Sequence, residues 1–123
     1  MYRYLVLLLL AGTATAHQLT PTYPKLEMSF VPGVVQARMQ LFNKRTDINY
    51  YEFQVFDKDW NSIPFAVNGK IQRVEYLETK NVDIYIQNEN KDRATYICAK
   101  SKILAAEVEK VTSVSSRICS KIK

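Results

Sequence analysis

The sequence predicts an all-β chain: an antiparallel β-sandwich of about seven short strands behind a cleaved signal peptide. Three observations predict it. Apolar and polar residues alternate with period two along much of the chain, and turn-forming residues recur about every ten residues. The first sixteen residues carry the parts of an export signal.

Those parts are a basic residue, Arg3, an apolar run from Leu5 to Leu10, and the small-residue pair Ala14-x-Ala16, with the cut expected after Ala16. The apolar run falls far short of the roughly 20 residues that cross a bilayer. No later segment is long and apolar enough to do so, so the mature chain is expected to have no membrane span. Residues 17–123 then form one domain, placed in the periplasm or secreted.

The first strand expected after the cut sets Val35, Ala37, Met39 and Leu41 on one face, opposite Gln36, Arg38 and Gln40. Asn43 to Asp47 read as a turn. Tyr50 to Asp57 return with Tyr51, Phe53 and Val55 on the apolar side, a composition suited to a half-buried pleated surface. Asp57 to Ser62 form a polar connection whose one large apolar residue is Trp60. Ile63 to Val67 read as an edge strand because Pro64 lacks an N–H. Asn68-Gly69 is a hairpin signal, with Ile71 to Leu77 returning from it. Val82, Ile84 and Ile86 mark the next strand, Asn88 to Asp92 a turn, Ala94 to Lys100 a further strand, and Val114 to Ile122 the last. Ile103 to Val111 between them read as a helical turn or a long hairpin loop.

Both cysteines lie beyond the cut, and an even count in an oxidising compartment predicts a Cys98–Cys119 disulfide. If the last two strands are antiparallel neighbours, that register sets Lys100 opposite Arg117 and Ile103 opposite Val114. Cys119 lies on the polar side of its strand, so the bridge is expected on the outer face.

The whole chain has 17 Lys and Arg against 12 Asp and Glu, a net charge of +5. Along the sequence the basic residues are interspersed with acidic ones. A nucleic-acid binder concentrates them in a stripe, so nucleic acid is not the expected partner, whereas an acidic protein or an anionic envelope surface is compatible. With one histidine, His17, a serine triad lacks a base other than the new N-terminus, and four-ligand zinc binding lacks ligands. Asp57-x-Asp59-x-Asn61 opens like a calcium loop but has Ser62 where that loop needs Gly and Asn68 where it needs Glu, so it reads as a polar turn. No catalytic, cofactor or metal site is expected. Trp60 is either a binding anchor or a lid over the sandwich edge.

Asp92-Arg93-Ala94-Thr95-Tyr96-Ile97-Cys98 resembles the D-x-A-x-Y-x-C strand of immunoglobulin variable-type domains, which implies a corner role for Tyr96. The chain departs from that family in having no cysteine near Val35 to Leu41 and in placing Trp60 in a turn. Over residues 19–123, the alternating strand ending at Leu41-Phe42-Asn43, the Tyr51 to Val55 strand and the Tyr96 to Lys100 strand resemble, in order, the N-terminal immunoglobulin-like domain of PapD-like periplasmic pilus chaperones. That resemblance implies a module that binds protein through exposed strand edges, the β-augmentation mode. Its implied partner is a pilus or envelope subunit. The Arg and Lys with which such chaperones hold a subunit carboxylate match no position here.

The expected role is therefore a non-enzymatic protein-binding module. Its candidate partner-binding strand is Val114 to Ile122, with Val114, Ile118 and Ile122 reaching the partner unless that apolar face completes the domain's own core. A self-assembling structural subunit is the alternative, and a small secreted enzyme or inhibitor a minor one.

Overall fold

The alternating apolar residues meet in two facing antiparallel sheets, seen in a computed structural model that describes residues 17–102 and 116–123. The predicted cleavage after Ala16, the Ile103 to Val111 connection and Val114 lie outside the described residues.

Eight strands are described: β1 (His17–Thr20), β2 (Glu27–Met28), β3 (Val34–Asn43), β4 (Tyr50–Phe56), β5 (Ile71–Arg73), β6 (Thr79–Gln87), β7 (Tyr96–Lys102) and β8 (Arg117–Lys121). In the first sheet β3 lies between β6 on one side and β1 and β2, end to end, on the other. The second sheet runs β5-β4-β7-β8, so β5 and β8 are its edges. The core fills the space between the sheets. Val35, Ala37, Met39 and Leu41 from β3 and Val82, Ile84 and Ile86 from β6 pack on Tyr51, Phe53 and Val55 from β4 and on Ile97 and Ala99 from β7. Every one is a position that period-two alternation marks as inward.

The segments before β3 and the stretch from Ile63 to Leu77 differ from the sequence expectation, and β2 (Glu27–Met28) was not expected. β1 escapes the pattern because it has one aliphatic residue, Leu19, yet His17 and Leu19 are both buried against β3. Ile63 to Val67 is a crossover instead of a strand. Ser62 bridges Phe56 in one sheet and Ala66 bridges Tyr85 in the other, while Ile63, Phe65 and Val67 pack onto the core between them. The segment alternates because it closes one side of the sandwich. Accordingly, Asn68-Gly69 does turn, with Gly69 at φ +91°, but the chain leaves it to pair β5 with β4, and only Ile71 to Arg73 of the expected return is strand.

A buried polar knot fixes the end of the sandwich where β1, β3 and β4 meet. The Asn43 side chain is fully buried; its Nδ2 donates to the carbonyls of Ile48 (2.7 Å) and Val74 (2.8 Å), and its Oδ1 accepts from the Arg45 N–H (2.8 Å) and the Tyr51 hydroxyl (2.7 Å). Four partners leave that amide satisfied, the condition under which a buried polar group specifies a loop. His17 stands edge-on to the Tyr51 ring, with Nδ1 3.5 Å from the hydroxyl. Because that hydroxyl gives its proton to Asn43, Nδ1 is the donor to it. Burial, then the Arg45 charge, lower the His17 pKa, and burial pushes Tyr51 up to about 12.

Candidate functional site

The C-terminal strand combines an exposed edge with a covalent clamp. β8 pairs antiparallel with β7 in the register Cys98↔Cys119 and Lys100↔Arg117, as the sequence predicts. The Cys98–Cys119 disulfide is formed, with a sequence separation of 21. Ser101 N–H donates to Ser116 and Ile122 N–H to Thr95, so the even-numbered β8 residues turn their backbone toward β7. Cys98 and Cys119 therefore form a non-hydrogen-bonded pair, the closer of the two antiparallel pair types. They lie on the outer face of the sheet, where Cys98 is nonetheless fully buried.

By the same alternation, Arg117, Cys119 and Lys121 turn their N–H and C=O away from β7. Lys121 N–H donates to Thr22 (3.0 Å) and Lys123 N–H to Pro24 (2.8 Å), in the segment that follows the cis Thr20–Pro21 bond. That segment covers the far end of the edge. Arg117 and Cys119 have no backbone partner on this side among the described residues, which leaves a two-residue pairing site open.

Ile118 and Ile122 are half-buried and pack against the core. Thus the apolar face of β8 completes the domain, and what β8 offers outward is backbone and its polar face. Ser120 is buried as well, its hydroxyl donating to the Leu19 carbonyl.

Beside this edge, on the outer face, stands an aromatic group. Trp60 stacks on Tyr96 with ring centroids 4.2 Å apart and planes 2° from parallel, and Phe56 lies 5.5 Å from Trp60. The Arg117 guanidinium reaches across β7 to within 5.1 Å of the Phe56 ring. Trp60 is at φ +66°, and the turn that holds it is built on Asp57, whose carboxylate accepts from the N–H groups of Asp59 (2.8 Å) and Asn61 (2.9 Å). The Asn61 N–H first, then that of Asp59, holds the Asp57 carboxyl below its usual range. Asp57 to Asn61 is a polar turn that presents an indole. Trp60 packs on one face and remains 48% exposed.

The Tyr96 ring is the platform for Trp60, and its hydroxyl has no hydrogen bond among the described residues. Sequence patterning missed the buried knot because Asn43, Arg45 and Asp47 look like ordinary turn residues. Arg45 makes a two-point ion pair with Asp47 (2.9 and 2.5 Å) and also donates to Ser116 at 3.3 Å, which ties the knot to the start of β8.

The sequence matches no family model and no curated protein. Compared by structure, the chain is similar to the E. coli chaperone DraB, with 16% identity and a TM-score of 0.61 over 86% of this chain and 52% of that one. It is similar also to the periplasmic chaperone SfaE, with 11% identity and a TM-score of 0.55 over 87% and 56% of the two chains. The third is a PapD-like domain of human CEP192, with 11% identity and a TM-score of 0.54 over 91% and 87%. The chain spans little more than half the length of the two chaperones. At these identities the likeness establishes the fold, a PapD-like immunoglobulin-like β-sandwich.

Proposed function

We propose that this PapD-like domain is an exported, non-enzymatic module that binds a protein partner in envelope or pilus assembly by strand addition at β8. One observation carries the reading: among the described residues, the outward N–H and C=O groups of Arg117 and Cys119 have no partner on an edge strand that a disulfide holds to β7. An unpaired edge is a template for another strand. The clamp keeps that template in register when a partner pulls on it. The similarity to two chaperones supports a protein-binding role, and the disulfide suits an oxidising compartment.

The test is Arg117→Pro. Proline there removes one outward N–H and none of the bonds between β8 and β7, so the domain should fold. Used as bait in envelope extracts with the disulfide intact, the wild-type chain should cross-link a defined partner through β8, and the variant should lose it. Equal capture by both chains would refute edge pairing. Recovery of the chain alone would favour the self-assembling subunit.

A further inference from the structure

The register gathers charges that the linear sequence scatters. The outward positions of the second sheet are Ile71 and Arg73 on β5, Tyr50, Glu52, Gln54 and Phe56 on β4, Tyr96, Cys98, Lys100 and Lys102 on β7, and Arg117, Cys119 and Lys121 on β8. These described positions hold five cations and a single carboxylate, Glu52, which pairs with Lys102 at 3.4 Å. Arg73 pairs with Glu75 from the neighbouring turn. Among the described residues Lys100, Arg117 and Lys121 meet no carboxylate, and Lys100 stands directly opposite Arg117. Like charges facing each other across a strand pair are unfavourable. Arg117 is eased on one side by the Phe56 ring, but among the described residues no carboxylate answers the pair, and a rule broken at the open edge marks a place where a ligand supplies the missing charge.

The backbone says what kind of ligand. The open groups at Arg117 and Cys119 are donors and acceptors together, spaced as in a strand. Phosphates of a lipid or a nucleic acid would serve the donors alone; a peptide serves both. We propose that β8 takes an acidic peptide strand, its alternate carboxylates facing outward on the Arg117 and Lys121 side of the sheet. This rests on the strand-addition reading above. A carboxylate opposite Arg117 meets it directly, and one opposite Cys119 reaches Arg117 and Lys121 along the two diagonals. The strand ends where residues 22–24 already occupy the edge. Trp60, on its Tyr96 platform, borders the strip.

Trp60 is the chain's single tryptophan and so reports binding by its fluorescence. The disulfide-intact chain is titrated with a ten-residue peptide alternating Glu with Val and Thr, and with its Gln counterpart. The Glu peptide should bind at least tenfold more tightly at low salt. That advantage should vanish in Arg117→Gln/Lys121→Gln and shrink as salt rises. Arg117→Pro should weaken both peptides. Equal affinity for the two peptides would overturn the acidic preference and leave edge pairing standing. Failure of both, or full binding by Arg117→Pro, would overturn edge pairing itself. Tighter binding of oligo(dT) or of phosphatidylglycerol vesicles than of the Glu peptide would overturn the peptide as occupant.

Discussion

Removing the Cys98–Cys119 bridge tests whether β8 is held as an edge by covalent closure or by packing alone. A bridge across a separation of 21 residues removes loop-closure entropy from the unfolded chain worth about 3 kcal/mol. Replacing both cysteines by alanine should therefore lower the unfolding free energy by about 3 kcal/mol. With a urea slope of about 1.5 kcal/mol per molar, the midpoint falls by about 2 M. Equilibrium urea unfolding of the double variant, beside wild type with and without reductant, measures this. Reduced wild type and the variant should agree. Hydrogen exchange locates the loss, with the Ser101 and Ile122 amides, which bond across the β7–β8 pair, losing protection ahead of the β3–β6 amides. A midpoint shift below about 0.5 M would refute the reasoning. It would mean that Ile118 and Ile122, packed on the core, hold β8 without the bridge.

Three further outcomes follow from the buried knot and the aromatic stack. Asn43→Ala removes four hydrogen bonds from a site with no access to water and should cost about 4 kcal/mol by chemical denaturation, at about 1 kcal/mol each; Tyr51→Phe, which removes one, should cost about 1 kcal/mol. His17 takes up a proton less readily folded than unfolded, so stability is complete above an unfolded pKa near 6.5 and falls as pH drops below it. His17→Gln should flatten that decline, and equal slopes in the two proteins would count against a buried neutral imidazole. Trp60→Ala loses the stack yet keeps a side chain at φ +66°, whereas Trp60→Gly loses the stack and relaxes the backbone. Thermal melts should therefore place the alanine variant about 1 kcal/mol below the glycine variant.

What could be read in the sequence is what period two encodes. β3, β4, β6 and β7 each bury one complete alternating set, and the Cys98↔Cys119 register followed from pairing two cysteines on neighbouring strands. Ile63 to Val67 shows where the rule misleads. Alternation reports burial on one side, and a crossover laid over the gap between two sheets buries one side as a strand does. His17–Thr20 shows the converse, because a strand whose inward residues are a histidine and a leucine gives no apolar rhythm. The partners of Asn43, from Arg45 to Val74, were invisible for a different reason: a hydrogen bond to a carbonyl 31 residues away leaves no trace in local pattern.

The candidate site sits at the limit of that reading. Lys100 opposite Arg117 followed from the cysteine register, but its meaning depends on which face and which edge are free, and those are properties of the sheet. Once Ile118 and Ile122 turn inward, the outward face of β8 is Arg117, Cys119 and Lys121. Ile118 and Ile122 then pack on the domain's own core, the other reading the sequence left open. Cations on an exposed edge also protect a protein against indiscriminate strand pairing. The same Arg117 and Lys121 that would repel a second copy of this basic edge would admit a strand carrying acids. Opening a strand edge and restricting what may join it are then two consequences of one row of side chains.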